Sequence, residues 1–173
     1  MEYYDEADEA LFLASLQDIE TDEDKYYLGV VHYYQQEYES ARAEMEFALA
    51  NGFTEAYFYL GEICFIQEDY DEALEYFEKY SEQVVSVSAT VCNDMAVCYM
   101  YADDYETAYE WIQKGLDYGY SKVQKALLRN EVACLEGMGN LSVAFVKLTE
   151  YIEAFPDDEA AKTEYEFLKD RIN

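Results

Sequence analysis

Asp69-Tyr70-Asp71-Glu72-Ala73 is the stretch that decides how this chain folds, because it recurs. Glu37-Tyr38-Glu39-Ser40-Ala41, Asp104-Tyr105-Glu106-Thr107-Ala108 and Asn140-Leu141-Ser142-Val143-Ala144 stand in equivalent places. A further copy, Tyr4-Asp5-Glu6-Ala7, lies near the start. The signature alanines fall at 7, 41, 73, 108 and 144, so the spacings are 34, 32, 35 and 36 residues. A period of that length marks stacked supersecondary units, none of which can bury its apolar face alone.

The residues between signatures read as helix. Residues 26–34 carry no formal charge on any side with His32 neutral, residues 95–102 carry none, and residues 56–66 carry only Glu62. A helix that is apolar all round has to be covered on more than one side. The segments after the signatures differ. In 38–50 the apolar set Tyr38, Ala41, Met45, Ala48 and Leu49 recurs at steps mostly of three and four, with charges at Glu39, Arg42, Glu44 and Glu46 between them. That spacing predicts an amphipathic helix with one face in water. Each unit is therefore an inner helix, a tight turn and an outer helix. Glu68-Asp69, Asp103-Asp104 and Gly139-Asn140 supply turn and capping chemistry, and Asn51-Gly52 marks a helix end. Val84-Val85-Ser86-Val87 is the one strand-like run, read as a helix end or connector.

These motifs resemble the tetratricopeptide repeat family, whose unit is a helix–turn–helix of 34 residues. Leu28-Gly29…Ala41…Met45…Ala48 follows the family pattern, as do Leu60-Gly61…Ala73…Phe77 and Met95-Ala96…Ala108…Ile112…Gly115. The fourth copy departs from it, with Glu131 where an apolar residue is expected, yet it keeps the terminal Pro156. The resemblance implies an all-α, right-handed α-solenoid of about four and a half units. We expect one domain over 1–173: an N-terminal half-repeat 1–20, repeats at about 22–54, 55–86, 89–120 and 125–156, and a capping helix 157–172.

Composition limits what such a fold can do. The chain has 173 residues, 51% of them hydrophobic, and a net charge of −28. Residues 1–78 contain 22 acids and two bases, leaving −20; residues 79–173 contain 17 acids and nine bases, leaving −8. Such a balance disfavours nucleic acid and anionic membrane surfaces, which need lysine and arginine in number. It suits a solvated outer face, and also a basic partner drawn to the N-terminal half. No apolar run reaches transmembrane length. The acidic N-terminus has no signal-peptide pattern. Cys64, Cys92, Cys98 and Cys134 lack metal or redox spacing, so we expect reduced core thiols in a cytoplasmic protein, with an extracytoplasmic fragment lacking its signal as the alternative.

Catalytic and metal chemistry find little support. Asp18-Ile19-Glu20-Thr21-Asp22-Glu23 looks like the start of a calcium loop but lacks the sixth-position glycine, and Gly29 stands in the closing position. His32 is the single histidine and is expected to pack rather than catalyse. Asn140-Leu141-Ser142 fits a glycosylation sequon inside a repeat turn. We expect no enzyme, no cofactor and no metal.

The resemblance also implies where a partner would sit. In that family the inner helices line a concave surface that takes a peptide. The matching positions are Tyr26, Val30, Tyr33 and Tyr34; Phe58, Glu62, Phe65 and Ile66; Asn93, Val97, Met100 and Tyr101; and Arg129, with Ala133 and Glu136 beyond it. They describe an aromatic trough whose polar exceptions are Glu62, Asn93 and Arg129. Some family members clamp a C-terminal carboxylate with basic groups and asparagine on successive inner helices; only Asn93 and Arg129 would serve here, so no such clamp is expected. We therefore expect an adaptor or scaffold that binds a protein or peptide, with basic residues flanking apolar anchors. Two alternatives stand beside it. One is a homodimer formed through the helix carrying Ala7, Ala10, Leu11 and Ala14. The other is a secretion-type chaperone, a class of small acidic repeat proteins similar in layout.

Overall fold

The computed structural model describes residues 21–119 and 121–172. Within them the chain forms nine helices: α1 (Asp22–Tyr34), α2 (Tyr38–Ala50), α3 (Ala56–Ile66), α4 (Tyr70–Gln83), α5 (Ala89–Tyr101), α6 (Tyr105–Leu116), α7 (Gln124–Gly137), α8 (Leu141–Ala154) and α9 (Glu159–Ile172). No strand occurs among the described residues, and Val84–Val87 is irregular connector. The helix read over Tyr4–Ala14, and with it the dimer face at Leu11, lies outside the described residues.

The helix starts follow local chemistry. Thr21 and Asp24 form a reciprocal capping box, the Asp24 N–H donating to Thr21 Oγ1 at 3.0 Å and the Thr21 N–H to Asp24 Oδ2 at 2.8 Å. Ser88 caps α5, and Asp104 caps α6 by accepting the Thr107 N–H at 3.1 Å. Each such contact satisfies a backbone donor that the helix leaves unpaired.

The four turns within repeats share one geometry. Gln36, Glu68, Asp103 and Gly139 adopt φ of 63°, 63°, 58° and 74°. The next residue's N–H then reaches back five positions: Glu37 to the His32 carbonyl, Asp69 to Cys64, Asp104 to Tyr99 and Asn140 to Leu135, all within 2.8–2.9 Å. This is a Schellman closure, in which one left-handed residue reverses the chain and satisfies the helix's last carbonyls.

The chain divides into two compact units, one running to Ser86 and the other from Val87. In the first, α1 packs on α2 and α3, α2 on α3, and α3 on α4. Its interior contains Val30, Val31, Met45, Leu60, Ile63 and Phe77. Close approach of α4 to α3 depends on Gly61, since a Cβ there would lie 2.6 Å from the Phe77 ring. Burying that ring contributes about 2–3 kcal/mol. Polar clips join the same helices: His32 Nδ1 lies 2.6 Å from Glu44 Oε2, and Arg42 bridges Glu46 at 3.2 Å and Glu72. His32 thus packs between α1 and α2 against the Glu44 carboxylate.

In the second unit α5 packs on α6 and α7, α6 on α7, α7 on α8, and α8 on α9. Val132, Leu135, Ala144, Leu148, Tyr151, Ala161 and Leu168 form one core cluster, and Ala96, Ala108, Ile112, Leu127 and Cys134 belong to another. Glu131, the departure from the repeat pattern, is 1% exposed. Gln113 donates to its Oε1 at 2.8 Å and Lys147 Nζ lies 3.4 Å away. A carboxylate survives at an apolar position because two side chains from α6 and α8 reach it. All four cysteines are free and buried. Burial pushes the Cys64 and Cys134 thiols up to about 12 and Cys92 to about 11, so they stay protonated near neutral pH.

Candidate functional site

In the first unit, α1 and α3 lie side by side, and their last turns bring Tyr33, Tyr34, Glu62, Phe65 and Ile66 into one neighbourhood. The Tyr33 hydroxyl donates to Glu62 Oε2 at 3.0 Å. Burial and the adjacent carboxylate raise the Tyr33 pKa far above its ordinary range, so the phenol remains a donor. Its ring meets Tyr34 edge-on at 5.3 Å, Tyr59 at 5.3 Å and Tyr38 at 6.2 Å. Phe65 is braced by Tyr70 at 5.5 Å and by Phe77 at 6.5 Å. Aromatic pairs in such edge-on arrangements hold each other's rotamers, which presets the face before anything binds.

Exposure separates the eight expected positions on this unit. Tyr34 is 46% exposed and Ile66 44%, while Tyr33, Glu62 and Phe65 are half-buried. Val30 has no exposed surface, and Tyr26 and Phe58 are buried. For these three the expectation of partner contact gives way to packing. Phe53, in the α2–α3 loop, stacks on Tyr26 at 5.6 Å, and Tyr59 and Tyr80 cover Phe58. On α1 and α3 the early positions Tyr26, Val30 and Phe58 are covered by neighbouring elements, whereas Tyr34 and Ile66 in the last turns emerge beside the reversal.

In the second unit the corresponding positions lie on α5 and α7. Tyr101 is 66% exposed, Val97 and Met100 are half-buried, and Asn93 is buried. Asn93 donates to Asp94 Oδ1 at 3.1 Å and accepts from Asn130 Nδ2 at 3.0 Å. Arg129 donates from Nη2 to Glu164 of α9 at 2.5 Å and lies over the Tyr151 ring at 5.3 Å. Burial and the nearby Glu164 push the Glu136 carboxyl upward. Asn93 and Arg129 are thus committed to protein partners, which argues against their use as a carboxylate clamp. The Asn93–Asn130 bond and the partners of Glu131 escape sequence reasoning because they join residues 16 to 37 apart whose spacing encodes no pairing.

A separate cleft of about 310 Å³ opens between α8 and α9, lined by Thr149, Ile152, Glu153, Lys162, Tyr165 and Glu166. Among the described residues no group of three His, Cys, Asp or Glu side chains could hold a metal ion, and no helix is long and apolar enough to cross a membrane.

Paired antiparallel helices at a 32- to 36-residue period, with an aromatic face on the inner pair, define an all-α helical repeat fold like that of tetratricopeptide proteins. The family model named Tetratricopeptide repeat matches residues 26–83, and that part of the chain is similar to these proteins. Solved structures of such proteins share the fold. YrrB, a TPR protein described as having an unusual peptide-binding site, is 18% identical, with a TM-score of 0.74 over 84% of this chain and 74% of its own. MamA AMB-1 structures are also similar: one is 15% identical with a TM-score of 0.72 over 86% of both chains, and another is 14% identical with a TM-score of 0.75 over 87% of this chain and 82% of its own. No curated protein sequence matches the chain significantly. Proteins of this class are in general non-catalytic modules for protein–protein interaction.

Proposed function

We propose that this chain is a non-catalytic interaction module whose inner helices hold a peptide or a segment of a partner protein. The observation that carries this reading is the exposure of Tyr34 and Ile66 beside Tyr33 and Phe65 at the ends of α1 and α3. Large apolar side chains grouped on one face, and braced from behind by other rings, offer contact area with little rotamer freedom left to lose. Glu62 completes the proposed contact set of this unit; in the second unit, taken by itself, the proposed contacts are Val97, Met100 and Tyr101 on α5. The acidic balance of the N-terminal half favours a partner whose apolar anchors are flanked by basic residues, since opposite charge speeds encounter.

The test is affinity capture from source-cell lysate at low salt, with the Tyr34→Ala/Ile66→Ala double variant as control. Both residues are substantially exposed, so the variant should retain its helical circular dichroism. A partner held by the original and lost by the variant supports the reading. Equal recovery on both would move the interface off the α1–α3 face.

A further inference from the structure

Four inner helices bury their residues in one register. Ala56 and Ile63 of α3, Val91 and Cys98 of α5, Leu127 and Cys134 of α7, and Ala161 and Leu168 of α9 are each seven apart, and none is more than 2% exposed. In that register Leu60, Met95, Glu131 and Tyr165 are equivalent, and so are Gly61, Ala96, Val132 and Glu166. On α3, α5 and α7 these positions are buried, because the outer helix that follows each one packs there. Phe77 of α4 lies so near that a Cβ on Gly61 would be 2.6 Å from its ring, and Lys147 of α8 reaches Glu131 at 3.4 Å. On α9 the same side opens into the cleft of about 310 Å³, where Tyr165 is half-buried and the Glu166 side chain is 67% exposed. Ile152 and Glu153 of α8 form the facing wall, and stacking on Phe145 at 4.7 Å holds the Tyr165 ring in place. The cleft is therefore the slot that a helix fills elsewhere in this chain.

We propose that the α8–α9 cleft docks a basic amphipathic helix of a partner protein, which seats its apolar face on Ile152 and Tyr165 and sets a lysine or arginine against Glu153 and Glu166. The slot uses none of the residues of the reading above and does not rest on it. Its helical occupant follows from the register, since α4 fills the equivalent place on α3. Its charge follows from Glu166, which stands where Gly61 gives closest approach. An apolar residue pressed on that carboxylate would strip its water, whereas a cation meets it with a charge-assisted hydrogen bond. Glu166 already lies 3.2 Å from Lys169, and Lys162 pairs with Glu159 at 2.7 Å, so the rim keeps a carboxylate on each wall. The chain's own outer-helix signature, Tyr4-Asp5-Glu6-Ala7, suits the slot in pattern but not in charge. Residues 1–20 contain no lysine or arginine, so from a second copy they would bring like charge to this rim.

The experiment uses the full chain and labelled peptides followed by fluorescence anisotropy. Three are alanine-based with leucines at i, i+4 and i+7: one flanked by lysines, one by glutamates, and one with lysines and a central proline. The fourth is residues 1–20 of this chain. The expected result is that the helical lysine peptide binds best. Glu153→Lys/Glu166→Lys should weaken it about tenfold, the worth of one charge-assisted bond, and should improve binding of the glutamate peptide. Ile152→Ala should weaken both helical peptides, and circular dichroism should show each variant as helical as the original. An α4 control, Glu75→Lys/Glu82→Lys, should weaken the lysine peptide by less than the cleft reversal does, and Tyr34→Ala/Ile66→Ala should leave it unchanged. Equal losses in the two charge reversals mean diffuse attraction to an acidic surface and overturn the proposal. Loss in Tyr34→Ala/Ile66→Ala alone puts the peptide on the α1–α3 face, so the slot falls while the reading above stands. A proline peptide that binds as well as the helical one overturns the helical occupant. Tightest binding by residues 1–20 makes a second copy the occupant and overturns the partner helix, and no binding by any peptide overturns the slot itself.

Discussion

Single residues hold the turns and the tight contacts. Gln36, Glu68 and Asp103 sit in the left-handed region that Gly139 occupies in the fourth copy. A side chain costs more there than glycine does, so Glu68→Gly should raise stability by about 0.5–1 kcal/mol after the greater freedom of glycine in the unfolded chain is counted. Urea denaturation checks this, and Gly139→Ala should move the midpoint the opposite way. Gly61 has the reverse constraint: a Cβ would meet the Phe77 ring at 2.6 Å. Gly61→Ala should therefore cost about 1–3 kcal/mol, with part recovered in Gly61→Ala/Phe77→Leu. Asp158 accepts the Tyr151 hydroxyl at 2.6 Å and the Ala161 N–H at 3.1 Å. These donors hold its carboxyl down at about 2. Its folded-state pKa lies below the unfolded one, so its contribution is present above the ordinary carboxylate range and is lost as pH falls toward about 2. Asp158→Asn should be less stable than the original at neutral pH, and the two urea midpoints should converge in acid.

Pairs of helices are where the repeat pattern bends without breaking. Glu131 of α7 lies in an apolar slot, held by Gln113 of α6 and Lys147 of α8. Removing the cation alone leaves a buried carboxylate with one neutral donor. Lys147→Met should cost about 2 kcal/mol, below the range for a fully buried pair because Lys147 is a third exposed. Adding Glu131→Leu should restore most of that loss by returning the slot to its apolar form. A double-mutant cycle in urea measures the coupling; additive losses would show that the pair does not join these helices. The same scale explains which aromatic residues pack and which face outward. Tyr26 and Phe58 meet Phe53 and Tyr80 from adjoining elements, whereas Tyr34 and Ile66 lie in the last turns before the chain reverses.

Across the whole molecule, net charge and helical stacking oppose each other. A charge of −28 means self-repulsion that salt screens, so the melting temperature should rise as sodium chloride goes from about 0.05 to about 0.5 M. Capture of a basic partner should weaken over the same range, a divergence that calorimetry and binding can follow in parallel. If stability instead falls with salt, attractive ion pairs such as Arg42–Glu72 outweigh the net repulsion.

The sequence by itself determined the repeat period, the helical class and the division into inner and outer helices. Those properties come from local spacing: signature alanines every 32 to 36 residues, charge-free inner segments and one-faced outer ones. Tertiary structure decided which members of the aromatic set remain open. Tyr26 and Tyr34 are the same residue type on the same helix, yet one is buried under Phe53 and the other is 46% exposed. Tertiary structure also decided which side chains reach Glu131, Asn93 and Arg129 from other helices: Gln113, Asn130 and Glu164. Helical period fixes which face a residue occupies; exposure depends on which other segment arrives there, and that is set by packing between elements far apart in the chain.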